Sequence, residues 1–167
     1  QKIFEEKPLK KSQYFDTKKL DSFLSIVNKN NEIILPKELE SPSILVITWE
    51  QALKEIPSEI KFILEKEEFP RTQYEAFVNA NFNTGFIIII RKDSVFENLI
   101  QYKIENTKNS IVKNIIIIEE NVENLKILER LNNDICYLNE TIFLKRNSKA
   151  TFCRIFNVKD TSIINMQ

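Results

Sequence analysis

A chain of 167 residues with no histidine has few ways to do acid–base or metal chemistry. The absence removes Ser-His-Asp and Cys-His catalysis, the zinc-peptidase helix and most transition-metal sites together. Few groups remain that could react. Cys136 and Cys153 are the two thiols, and two make neither a disulfide framework nor a zinc set. Cys153 lies in an alternating run and reads as a small core residue. The carboxylates Glu119, Glu120, Glu123 and Glu129 could form a metal or acid–base group. Three of the four fall in a polar turn, so a solvated rim is the expectation. Lys145, Arg146 and Lys149 could meet phosphate, and they too read as a solvated turn. The chain has no Gly-rich phosphate loop. No residue is therefore assigned a catalytic, cofactor-binding or metal-ligating role, and a binding or scaffolding part is expected in place of an enzyme.

The elements that would carry these residues divide near residue 76. Before it the sequence is mixed and mostly helical. Asp16 or Thr17 can cap a helix with Leu20, Phe23, Leu24 and Val27 on one face, ending at Asn28 to Asn31. Glu32 to Leu35 and Ile44 to Ile47 are short β-rich runs divided by Pro36 and Pro42. Thr48-Trp-Glu-Gln51 has capping-box spacing and opens a helix that Pro57 ends. Trp49, at its start, reads as a packing anchor. Ser58 begins another helix, with Ile60, Ile63 and Leu64 on one face. Thr72-Gln-Tyr-Glu75 is a second capping box.

After Gly85, whose place is a backbone requirement, the period changes to short β-rich runs. Two tetrads of isoleucine, Ile87–Ile90 and Ile115–Ile118, are each followed by two charged residues and an Asp or Asn. The turn Arg91-Lys92-Asp93 recurs as Glu119-Glu120-Asn121 and as Lys145-Arg146-Asn147, offset by 28 and then 26 residues. Strands precede each turn at Ile87–Ile90, Ile115–Ile118 and Thr141–Leu144. Second strands follow at Ile100–Ile104, Leu125–Leu128 and Thr151–Phe156, and Glu97-Asn-Leu99 is echoed by Glu123-Asn-Leu125. With one Gly in the chain, turns that need positive φ fall to Asn or Asp, with Asn30-Asn31, Asn121, Asn132-Asn133 and Asn147 as candidates. A β-repeat with a polar turn at fixed phase is what a β-solenoid requires. A two-sheet sandwich also repeats short strands, but the phase-locked turns favour the solenoid. Four successive Ile imply strands covered on both faces. Burying one Ile contributes about 1.5–3 kcal/mol, against about 1–2 kcal/mol for fixing a residue's backbone. The helical first half is the expected cover for one face, and a partner could supply another.

Composition sets the outer bounds. Length suits one domain or one with a small appendage, and 43% apolar residues are ample for a core. Charges balance at 24 against 24, which leaves no electrostatic footprint for nucleic acid or an anionic membrane. Apolar runs fall far short of the ~20 residues of a membrane span. No stretch reads as a secretory leader, and cytoplasmic residence is expected.

At Asn79-Ala-Asn-Phe-Asn-Thr-Gly-Phe-Ile-Ile-Ile-Ile-Arg-Lys92 the sequence resembles the core of the SufB/SufD family, scaffold proteins of Suf iron–sulfur cluster assembly. The similarity continues through Ile115 to Glu129 and through Glu140 to Asn157. It is looser at Lys11-Ser-Gln-Tyr-Phe15 and Ile44 to Leu53. The resemblance implies an α+β to all-β chain: a helical N-terminal region over 1–75, then a right-handed parallel β-helix over 76–167. SufB-type members carry Glu-Gly-Cys where this chain has Glu129-Arg130-Leu131. They carry Arg-Ile-Asn at Lys103-Ile104-Glu105, and Gln-Asn-Trp at Phe156-Asn157-Val158. Those departures point to a SufD-like scaffold, non-catalytic in this segment, with an iron–sulfur cluster only at the level of a complex. A SufB-type subunit and a SufC-type ATPase are the implied partners, or a homodimer. Family members are longer, so either a fragment or a last coil covered by a partner is expected. Two other classes stay open: a structural β-helix protein that self-associates, and, last, a carbohydrate-active β-helix.

Overall fold

The computed structural model describes residues 25–29, 32–36, 41–66, 72–96, 99–157 and 163–166, without the side chains of 105–109, 131–136, 156–157 and 163–166. The architecture is mixed α and β, with three helices and eight mostly parallel strands among the described residues. In chain order these are β1 (Ser25–Lys29), β2 (Glu32–Ile34), β3 (Ile44–Thr48), α1 (Trp49–Glu55), α2 (Pro57–Lys66), α3 (Gln73–Asn81), β4 (Phe86–Ile90), β5 (Leu99–Ile118), β6 (Leu125–Leu144), β7 (Ala150–Asn157) and β8 (Ile163–Met166). None of the described helices is long and apolar enough to cross a membrane.

The isoleucine tetrads lie side by side. Ile87 to Ile90 of β4 pair in parallel with Ile115 to Ile118 of β5, and these pair in parallel with Thr141 to Leu144 of β6. The pairing offsets are 28 and 26, the same as those of the turns. Strand periodicity then sends alternate members to opposite faces. Ile88, Ile90, Ile116 and Ile118 enter an inner core with Ile26, Ile100, Ile104, Leu125 and Ile127. Ile87, Ile89, Ile115 and Ile117 enter an outer core with Ala52 of α1 and Ile60 and Ile63 of α2. Both faces are covered, and the helical segment supplies the outer cover. All eight isoleucines are at most 7% exposed.

The turns are held in the same phase. Asp93, Asn121 and Asn147 all have φ of 58°, the left-handed conformation that short polar side chains tolerate best after Gly. Their side chains form a ladder: Asn121 Nδ2 donates to Asp93 Oδ1 at 2.9 Å, and Asn147 Nδ2 donates to Asn121 Oδ1 at 3.3 Å. Gly85, at φ 141°, passes so close to the next repeat that an added Cβ would lie 1.9 Å from the Lys113 carbonyl oxygen.

The helix starts follow the capping chemistry. Thr48 accepts from Gln51 N while Gln51 Oε1 accepts from Thr48 N, a reciprocal box. Thr72 caps α3 by accepting from Glu75 N.

Four expectations are corrected. The short strands after Gly85 merge into the 20-residue β5 and β6, with a register irregularity between Asn106 and Ser110. Asn132-Asn133 accordingly lies inside β6, while Asn124 takes an unanticipated left-handed turn at φ 57°. Glu97 and Asn98 lie outside the described residues, and the echo of Leu99 in Leu125 is not the register either. Leu99 faces Lys126, and Ile100 faces Ile127 at an offset of 27, which keeps both isoleucines inward. The helix expected from Asp16 lies outside the described residues except at its end, where Val27 and Asn28 belong to β1. Pairing of β1 with both β2 and β5 outweighs the helical spacing. Asn30-Asn31 also lies outside the described residues.

Candidate functional site

Inside the inner core one level is polar. Along the first part of β6, Leu125, Ile127 and Glu129 alternate inward, so strand period alone puts Glu129 in the interior. Register sets Tyr102 of β5 opposite Glu129, and Glu129 opposite Arg154 of β7. Glu140, on the second part of β6, meets them across the core. Tyr102, Glu129 and Glu140 are fully buried.

One guanidinium serves both carboxylates. Arg154 Nε donates to Glu129 Oε2 at 2.7 Å, and Arg154 Nη2 donates to Glu140 Oε1 at 2.7 Å. The Tyr102 hydroxyl donates to Glu140 Oε2. Arg154 also lies over the Phe152 ring, 5.5 Å from its centroid. Glu129 Oε1 has no hydrogen-bond partner among the described residues.

The charge balance follows. Two ionised carboxylates and one guanidinium leave a surplus negative charge in a dry interior, which is costly. Burial, then the charge of Glu140, push the Glu129 carboxyl up to about 7, against the opposing pull of Tyr102 and Arg154. Burial, then the charges of Glu140 and Glu129, push the Tyr102 hydroxyl well above its ordinary value, so it stays a donor. The cluster can hold a proton and tie three strands together. With both carboxylates fully buried, it offers no open surface to a substrate.

A second feature faces outward. The outer core continues onto the third repeat as a cleft of about 680 Å³ lined by Ile63, Ile89, Ile117, Phe143 and Leu144. Leu144 is 55% exposed. Arg91 and Lys145 also line the cleft, each 3.7 Å from Glu119 Oε1.

The residues singled out from the sequence distribute as follows. Glu119, Glu120 and Glu123 belong to the turns, with Glu120 paired to Arg146 at 3.7 Å. Lys145 and Arg146 are exposed there as expected. Glu129 does not share that rim: it is buried two residues from Ile127 on the same face of β6. Cys153 is exposed on β7, not a core residue, because Phe152 and Arg154 take the inward positions beside it. The side chain of Cys136 lies outside the described residues. Trp49 is a packing anchor: its indole N–H donates to the Lys113 carbonyl at 2.8 Å, and its ring centroid lies 5.1 Å from that of Phe82. Among the described residues no group of three or more His, Cys, Asp or Glu is placed to hold a metal ion.

Sequence reading missed Tyr102, Glu140 and Arg154 as a set. The available signal was parity: Glu129 and Arg154 stand two residues after Ile127 and Phe152, on the apolar face of their strands. No family model, no curated protein and no solved structure matches this chain.

Proposed function

We propose that this chain is a SufD-like scaffold subunit of iron–sulfur cluster assembly whose second half is a right-handed parallel β-helix. The observation that carries the reading is the parallel pairing of Ile87, Ile115 and Thr141, with Asp93, Asn121 and Asn147 stacked at the matching turns. Stacked repeats of this length with turns in phase are what that family's core requires. In this reading the chain is not an enzyme and holds no cofactor in this segment. It works in the cytoplasm by β-helix contacts with a SufB-type subunit, and a SufC-type ATPase supplies the energy to the complex. The test is co-purification from the native cell under mild conditions. Recovery of a SufB-type subunit or SufC-type ATPase is expected, and recovery of neither counts against the assignment.

A second reading is a structural protein that self-associates, unrelated to cluster assembly. It is favoured by the half-open apolar cleft at Phe143 and Leu144 and by β7, which pairs with β6 alone among the described strands. Concentration-dependent assemblies of the pure chain would select it, whereas a defined heteromeric complex selects the first.

A further inference from the structure

We infer that Tyr102, Glu129, Glu140 and Arg154 form a proton-linked closure for the third repeat: seating β7 over the buried carboxylate pair takes up one proton. Among the described residues, the geometry places the cluster's one cation on β7 and both of its carboxylates on β6. Among the described residues, the ionisable groups that face Glu129 are Tyr102 from β5, Glu140 from the far part of β6 and Arg154 from β7. The nearby inner-core residues of β1 and β4, Ile26 and Phe86, bring no charge.

When β7 is seated, both carboxylates are dry and share one guanidinium, and Glu129 Oε1 lacks a donor among the described residues. One proton makes the cluster neutral without breaking either Arg154 contact. When β7 lifts away, water reaches both carboxylates and Glu129 returns to ordinary acidity. The seated form therefore binds one proton more than the open form. Opening becomes easier as pH rises, by at most about tenfold per pH unit. The window is bounded by the ordinary Glu value of 4.5 and the seated value of about 7. The seated form is favoured most below the lower value, and that advantage is lost as pH rises through the upper one. Most surface carboxylates act in the opposite sense, favouring the folded form as pH rises. β7 is the strand suited to open, because it pairs on one side only among the described strands. The consequence is a scaffold edge whose exposure is set by pH near neutrality.

Amide hydrogen exchange across β7, corrected for the intrinsic pH dependence of exchange, measures the opening directly. In the full chain the opening constant of residues 150–157 should rise several-fold between about pH 5.5 and about pH 7. Glu129→Gln should abolish that slope and leave protection at the upper pH equal to or better than the parent chain's. A flat profile in the parent chain, the same slope in Glu129→Gln, or an equal slope across the amides of Ile115 to Ile118 would overturn the inference. If Glu129→Gln does not fold, carboxyl-carbon titration of the parent chain decides: one Glu carboxyl must titrate near neutrality. Finding every Glu in the ordinary acidic range overturns the inference.

Discussion

At the scale of single residues, close approach sets the strictest demands. Gly85 combines a positive φ that L side chains rarely adopt with a neighbouring carbonyl where a methyl group would sit. That carbonyl, on Lys113, also accepts the Trp49 indole N–H, so it cannot move aside without losing a second contact. Gly85→Ala should therefore cost about 3 kcal/mol or more, combining backbone strain with overlap. Urea denaturation followed by Trp49 fluorescence reads the loss. A change below about 0.5 kcal/mol, the range of neutral surface substitutions, would mean that Gly85 is not held in this conformation. Glu129 makes the complementary point. Its type says surface, and its parity on the strand says interior. Parity governs, because a one-residue slip to free Glu129 would turn Leu125 and Ile127 outward as well.

At the scale of elements, much was legible. The chain has one Gly, so left-handed turns had to use Asn or Asp, and three such residues, each at the same place after a β-rich run, mark the repeat. The isoleucine tetrads announced two covered faces, and Thr48 with Gln51 announced the start of α1. Elements decided by distant pairing were not legible. Val27 fits a helix by local spacing, and only β2 and β5 make it a strand. The polar residues between Asn106 and Ser110 look like a turn, yet pairing with β6 resumes after them and carries the strand onward. The turn ladder yields a graded prediction. Asn121→Ala loses side-chain hydrogen bonds on both sides and places an unsuited residue at φ 58°. It should cost about 1–2 kcal/mol, with most of the loss from the backbone. Asn121→Gly keeps the conformation and loses only exposed hydrogen bonds, so it should cost under about 1 kcal/mol. Equal losses in the two variants, measured by chemical denaturation, would remove the left-handed turn as the cause.

At the scale of the whole molecule, each repeat leans mainly on its neighbours, so stability should be graded along the stack. β5 lies between two layers of partners: β1 and β4 on one side, β6 on the other. Its Ile115 to Ile118 segment is buried on both faces, whereas β7 is half exposed and paired on one side among the described strands. Native-state hydrogen exchange at fixed pH should give the amides of Ile115 to Ile118 the opening free energy of global unfolding. Those of Ala150 to Ile155 should open at a value lower by about 1–3 kcal/mol, the scale of a sub-global opening in a marginally stable chain. Low denaturant should steepen the first set and barely move the second, because little surface is exposed when one strand lifts. Identical free energies and identical denaturant slopes in both sets would mean that the repeats fold as one unit. The third repeat could then not open separately to meet a partner. A gradient would make the edge of β7, paired on one side only among the described strands, the place where an incoming strand finds backbone free to pair.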